Sequence, residues 1–197
     1  MNQSYPNAAG GLKMLFLSQI LSIVNVVLAF IAAAMLLTGS TLGLTLVTIV
    51  SIVVCVLEIY GLFKASSDDE GYRTPLYAAA ALLVVVVLNR FLSTVPVVGT
   101  LLSIVNTVLG FIVVNGVCQT TGNLLHSVGN EALVDRGNTV SKIYFICTII
   151  NVVCTIIGII PIINILSGLV NAVASIVLLV GYVMYLTFLS SGSKALA

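Results

Sequence analysis

Charged positions fall in short clusters, and between them the chain stays apolar over long distances. Met14–Leu57, Phe91–Asn130 and Ile143–Ser193 contain no Asp, Glu, Lys or Arg. A bilayer's hydrocarbon core is about 30 Å thick and takes ~20 helical residues to cross. The last run alone is therefore long enough for two crossings. Gly, Pro, Ser and Thr interrupt the apolar pattern at Thr38–Gly43, Ser93–Gly99 and Gly158–Asn164, where the chain is expected to turn back. The pattern predicts six transmembrane helices over 12–38, 43–63, 75–94, 98–120, 141–159 and 163–190. Lipid offers no partner to backbone N–H and C=O groups, so a crossing must be helical or part of a closed barrel. Long runs without polar alternation argue against the barrel.

The expected fold is an all-α integral membrane protein, a single transmembrane domain over 1–197. Its hairpins are 12–63, 75–120 and 141–190, forming a compact bundle. The two longer, polar connections are Lys64–Thr74 and Thr120–Ser141. Within the second, residues 121–140 read as a cytoplasmic loop. Leu124, Leu125, Val128 and Ala132 or Leu133 would share one face of a short interfacial helix over Asn123–Asp135.

Composition agrees with lipid as the solvent. The 197 residues are 60% hydrophobic and 7% charged, with mean hydropathy +1.25. Soluble domains carry about a quarter charged residues. A net charge of +1 with scattered Lys and Arg gives no footprint for nucleic acid. Cys55, Cys118, Cys147 and Cys154 all lie in apolar segments without a C-x-x-C pair or a neighbouring His. They read as packing residues, and neither a metal nor another cofactor is expected. The apolar run from Leu12 to Leu37 exceeds the ~7–15 residues of a cleavable signal core, so it reads as a retained helix.

Lys13, Lys64, Arg73, Arg136, Lys142 and Lys194 lie toward the end of the bundle that carries the termini; only Arg90 lies near the other. The positive-inside rule then puts both termini in the cytoplasm, in a multi-pass protein of the inner or plasma membrane. Tyr60, Tyr72, Tyr77, Tyr144, Tyr182 and Tyr185 cluster toward that side and read as an interfacial belt.

The chain also reads as a threefold repeat of one hairpin. At a shift of 65 residues Pro96, Leu101, Val105, Asn106, Val108 and Gly116 fall on Pro161, Leu166, Val170, Asn171, Val173 and Gly181. At a shift of 55, Gly61 falls on Gly116. The odd helices share their entries: Gly11 and Lys13, Gly71 and Arg73, Gly137 and Lys142. Such parallel repeats are related by an axis along the membrane normal.

Candidate chemistry is sparse. Glu58 is the one carboxylate inside a helix, and an intramembrane ionisable group is a functional candidate by default. Its bland reading is a carboxylate bonded to Tyr60, Lys64 or a neighbouring helix. Arg90 would reach lipid phosphate or an anion near the opposite boundary. Asn25, Asn106, Asn151 and Asn171 sit on stripes of small and polar residues at helical spacing. These stripes read either as interhelical glue or as a polar solute path. The Asp68-Asp69-Glu70 cluster reads as a solvated loop, with Asp69 paired to Arg73. No phosphate-binding glycine loop, dinucleotide fingerprint, zinc-hydrolase helix or nucleophile elbow is present, and the lone His126 makes no catalytic set. The P-x-[DE]-x-x-[KR] signature of mitochondrial carriers is missing at every Pro.

The primary expectation is thus a non-enzymatic structural or interaction subunit. Its partners would be the bilayer and another membrane protein or a second copy of the chain. The alternative is a small channel or transporter for a neutral or weakly polar solute along an Asn/Ser/Thr-lined path. That path requires Asn25, Asn106 and Asn171 to face one cavity.

Overall fold

The computed structural model describes residues 4–36, 42–92, 96–158 and 164–197, with the side chains at 90–92, 96–97 and 164–167 left undescribed. The described residues form six long helices: α1 (Pro6–Leu36), α2 (Leu42–Ala65), α3 (Arg73–Leu92), α4 (Pro96–Ser127), α5 (Glu131–Ile157) and α6 (Asn164–Ala195). All six are long and apolar enough to cross a membrane. The expected turn-back points at 38–43, 93–99 and 158–164 fall largely outside the described residues. Each helix packs on its neighbours in sequence, and α6 returns to pack on α1.

The helices run further than the hydropathy pattern predicts. α4 has 32 residues, about 48 Å at the usual rise, against a core of about 30 Å. The expected loop over 121–140 and the separate helix over Asn123–Asp135 do not form. α4 continues to Ser127 and α5 starts at Glu131. Polarity marks where lipid ends, but a helix stops only where its backbone is capped. Of the three glycines in this stretch only Gly129 takes a positive φ, 77°. It closes α4 with paired bonds, Gly129 N to His126 O at 3.0 Å and Asn130 N to Leu125 O at 2.9 Å. Asn130 then caps α5, its side chain accepting from Leu133 N.

The acidic cluster is likewise more than a solvated loop. Asp68 accepts from Asn7 Nδ2 at 2.8 Å and Ala8 N at 2.7 Å, which caps the start of α1 from another part of the chain. Asp69 caps the short 3₁₀ turn Glu70–Tyr72 rather than pairing with Arg73. Arg73 bridges to Glu70 at 2.8 Å instead.

One end of the bundle is packed and stitched. Leu12, Leu15, Leu62, Tyr72, Val117, Leu125, Val140, Phe188 and Leu189 are fully buried there. Tyr5 N donates to Leu196 O at 2.8 Å, joining the two ends of the chain. Every charged residue except Glu58 and Arg90 belongs to this end. Toward the other end fewer described side chains are buried, among them Ala32, Val54, Val85 and Ala174. Outside, apolar residues such as Leu17, Val24, Ile31, Val173, Ile176 and Val180 are exposed in helical steps and suit lipid. The tyrosine belt is only partly observed. Tyr60 and Tyr77 face outward, whereas Tyr72 and Tyr185 are buried and Tyr144 and Tyr182 turn to the interior.

Close approach at glycine holds the pairs together. A Cβ on Gly11 would strike the Gly61 carbonyl and lie 2.7 Å from Ala65 Cβ. Gly116 receives the Pro75 ring, and Gly181 receives Ile143. Gly168, by contrast, has open space. Gly11→Val is expected to lower stability by about 1–3 kcal/mol, the range for overpacking. Gly168→Val leaves it within measurement error. Unfolding in mild detergent checks both, and equal stabilities would contradict the packing.

Candidate functional site

Above the packed end, all six helices contribute to one central cavity of about 480 Å³. α1 supplies Gln19, α2 Glu58 and α3 Leu82. α4 supplies Asn106, Thr107, Gly110, Phe111, Val113 and Val114. α5 supplies Tyr144, Thr148 and Asn151, and α6 supplies Leu178, Tyr182 and Tyr185. Glu58 is the one charged side chain among them.

The cavity has a closed floor, and helical geometry explains it. Residues four apart share a face. One turn below Gln19, Glu58, Val113, Tyr144 and Tyr185 lie Leu15, Leu62, Val117, Val140 and Leu189, each at 0–1% exposure. Tyr72 and Thr121 join below them through a buried hydroxyl–hydroxyl bond of 2.7 Å. The same helix faces that border the cavity at one level are sealed at the next.

Glu58 is half-buried and held from α1. Gln19 Nε2 donates to its Oε1 at 2.5 Å. Gln19 also accepts, through its backbone oxygen, from the Tyr182 hydroxyl at 2.6 Å. One residue thus ties α1 to α2 and to α6. The partner comes from a neighbouring helix; Tyr60 faces outward and Lys64 lies against Gly10.

The sequence-derived candidates separate into groups. Glu58, Asn106 and Asn151 line the cavity together. Asn151 donates to Cys147 O at 2.9 Å within its own helix. Asn25 lies between α1 and α2, donating to Ser51 Oγ at 2.8 Å, with its Oδ1 buried and without a partner among the described residues. Asn171 is exposed and does not line the cavity. The expected trio of Asn25, Asn106 and Asn171 is therefore not brought together. Arg90 lies near the C-terminal end of α3, and its side chain is outside the described residues. His126 is far from the cavity, exposed at the end of α4 against Glu131.

Gln19, Tyr144 and Tyr182 were not among the candidates. A signal for Gln19 was available. Gln19 and Glu58, Asn25 and Ser51, and Ala32 and Gly43 each meet, and each pair is nearly equidistant from Thr38 in the sequence. An antiparallel pairing centred on the predicted turn brings Gln19 to Glu58.

Chemically the site offers one carboxylate, amides, hydroxyls and aromatic rings. His, Cys and Ser are missing from the described lining. Comparison with protein-family models, curated proteins and solved structures finds no match.

Gln19→Leu removes the donor and leaves the carboxylate unsatisfied, at an expected cost of about 1.5–3 kcal/mol. Adding Glu58→Leu restores more than half of that loss, because replacing both partners leaves nothing unpaired. A double-mutant cycle of unfolding in detergent measures this. Additive losses would count against the bond.

Proposed function

We propose that this protein is a multi-pass carrier or receptor that takes a small polar solute into its central cavity from one side of the membrane. A single observation carries the reading: polar groups from five of the six helices, all but α3, converge on one cavity whose floor is sealed by fully buried side chains. A structural subunit needs packing but no such cavity. The polar stripes divide between the two uses. Asn25 and Ser51 are spent on packing, which favours the subunit reading for that pair. Asn106, Thr107, Thr148 and Asn151 line the cavity and favour the solute reading.

The repeat supports it further. Gly61, Gly116 and Gly181, equivalent under the shifts of 55 and 65, each receive a residue of the preceding helix: Met14, Pro75 and Ile143. The same shifts relate Glu58, Val113 and Leu178, and all three line the cavity. Three parallel hairpins around an axis through the cavity account for both facts. The distribution of Lys and Arg supports cytoplasmic termini in an inner or plasma membrane, so the floor faces the cytoplasm and the cavity faces out.

The test uses a protein with its four cysteines replaced and one new cysteine. Asn106→Cys is expected to react with a membrane-impermeant thiol reagent added outside intact cells. Val117→Cys, in the floor, is expected to stay unreacted from either side. Unreactive Asn106→Cys, or labelling only from the cytoplasmic side, contradicts the proposal.

A further inference from the structure

The chemistry of the cavity narrows what it can hold. Glu58 is alone in its charge, amid amides, hydroxyls, rings and aliphatic chains. Gln19 gives it a hydrogen bond but no opposite charge. Among the described residues no Lys, Arg or His forms an ion pair with it. A carboxylate withdrawn from bulk water is costly, and a cation brought beside it removes much of that cost.

The rest of the lining argues which kind of cation. A divalent metal ion takes six or more oxygen ligands, usually with several carboxylates. Here there is one carboxylate in a space of about 480 Å³, much larger than a bare ion. Aromatic faces attract ammonium groups, and Tyr144, Tyr182 and Phe111 border the same space. Asn151 spends its amide nitrogen on Cys147 O, which leaves its Oδ1 to accept from a donor such as N–H. Leu82 and Leu178 offer an apolar wall. Under the repeat, the positions matching Glu58 are Val113 and Leu178, so at that level one hairpin supplies a charge and the other two supply apolar side chains. A solute with a charged head and a short carbon body matches that asymmetry.

We propose that the cavity binds a small organic ammonium ion, its charge held by Glu58 among tyrosine rings and its carbon chain against Leu82 and Leu178. The assignment rests on the cavity being a solute site, as proposed above. The probe is n-butylammonium, with n-butanol and butyrate as its neutral and anionic counterparts, at one ionic strength set with sodium chloride. Each is added to the Asn106→Cys protein in lipid nanodiscs before thiol labelling. Butylammonium is expected to slow labelling several-fold, and the two counterparts are not. Glu58→Gln raises the concentration needed for half protection about tenfold, as for loss of one charge-assisted contact. Glu58→Asp keeps the charge and most of the protection. If Glu58→Gln is not recovered folded, the comparison of the three probes on the Asn106→Cys protein decides alone. Equal protection by butanol, none by butylammonium, or protection unchanged in Glu58→Gln overturns the cation assignment and leaves the solute site standing. Asn106→Cys that never reacts removes the site itself.

Discussion

Lipid tails are as apolar as leucine, so burying apolar side chains between helices gains little inside a bilayer. The rest of the structure follows from that constraint. Helices must be held by close backbone approach, by hydrogen bonds, and by packing where they leave the hydrocarbon. All three are found toward one end. Gly11 lies against Gly61, Gly116 against Pro75 and Gly181 against Ile143. Asp68 caps α1, and Tyr5 joins Leu196. The long helices project well past a 30 Å core, so part of this packing can draw on water exclusion that the membrane interior does not supply.

Because cohesion is concentrated there, the other half of the bundle need not be filled. Side chains one turn above the floor are free to be polar and to surround a space. Gln19 lies where the two regimes meet. Its side chain holds Glu58 and its carbonyl holds Tyr182, so the cavity rim is tied across three helices. Passage of a solute through the bundle would require the floor to open. The Tyr72–Thr121 hydroxyl pair there is neutral, and such bonds contribute about 1 kcal/mol each. The floor is otherwise apolar, which suits a seal that parts without separating charges.

Much of the architecture was legible in the sequence. Charge-free runs gave the number of helices, because a charge in hydrocarbon is costly wherever it stands. The ends of the helices were less legible. Hydropathy reports the membrane boundary, while α4 and α5 end where Gly129 and Asn130 can terminate and cap them. Tyrosines misled for a related reason: an amphipathic ring suits an interface and a polar cavity equally, and Tyr144 and Tyr182 took the cavity. Glu58 stood out as the lone carboxylate within a predicted span, and Asn106 and Asn151 as polar residues at depth. Which asparagines share a space depends on helix rotation and crossing, which spacing along one helix does not report. Asn25 and Asn171 share the pattern of Asn106 and still face elsewhere.

The central claim is a wet cavity above a dry floor, and α4 passes through both. A nitroxide scan along this helix, read by collision with a water-soluble paramagnetic reagent in nanodiscs, tests it most directly. High accessibility at 106, 107 and 110, falling to none at 117, 121 and 125, is the predicted profile. A profile that is uniformly dry, or wet through residue 125, would contradict it.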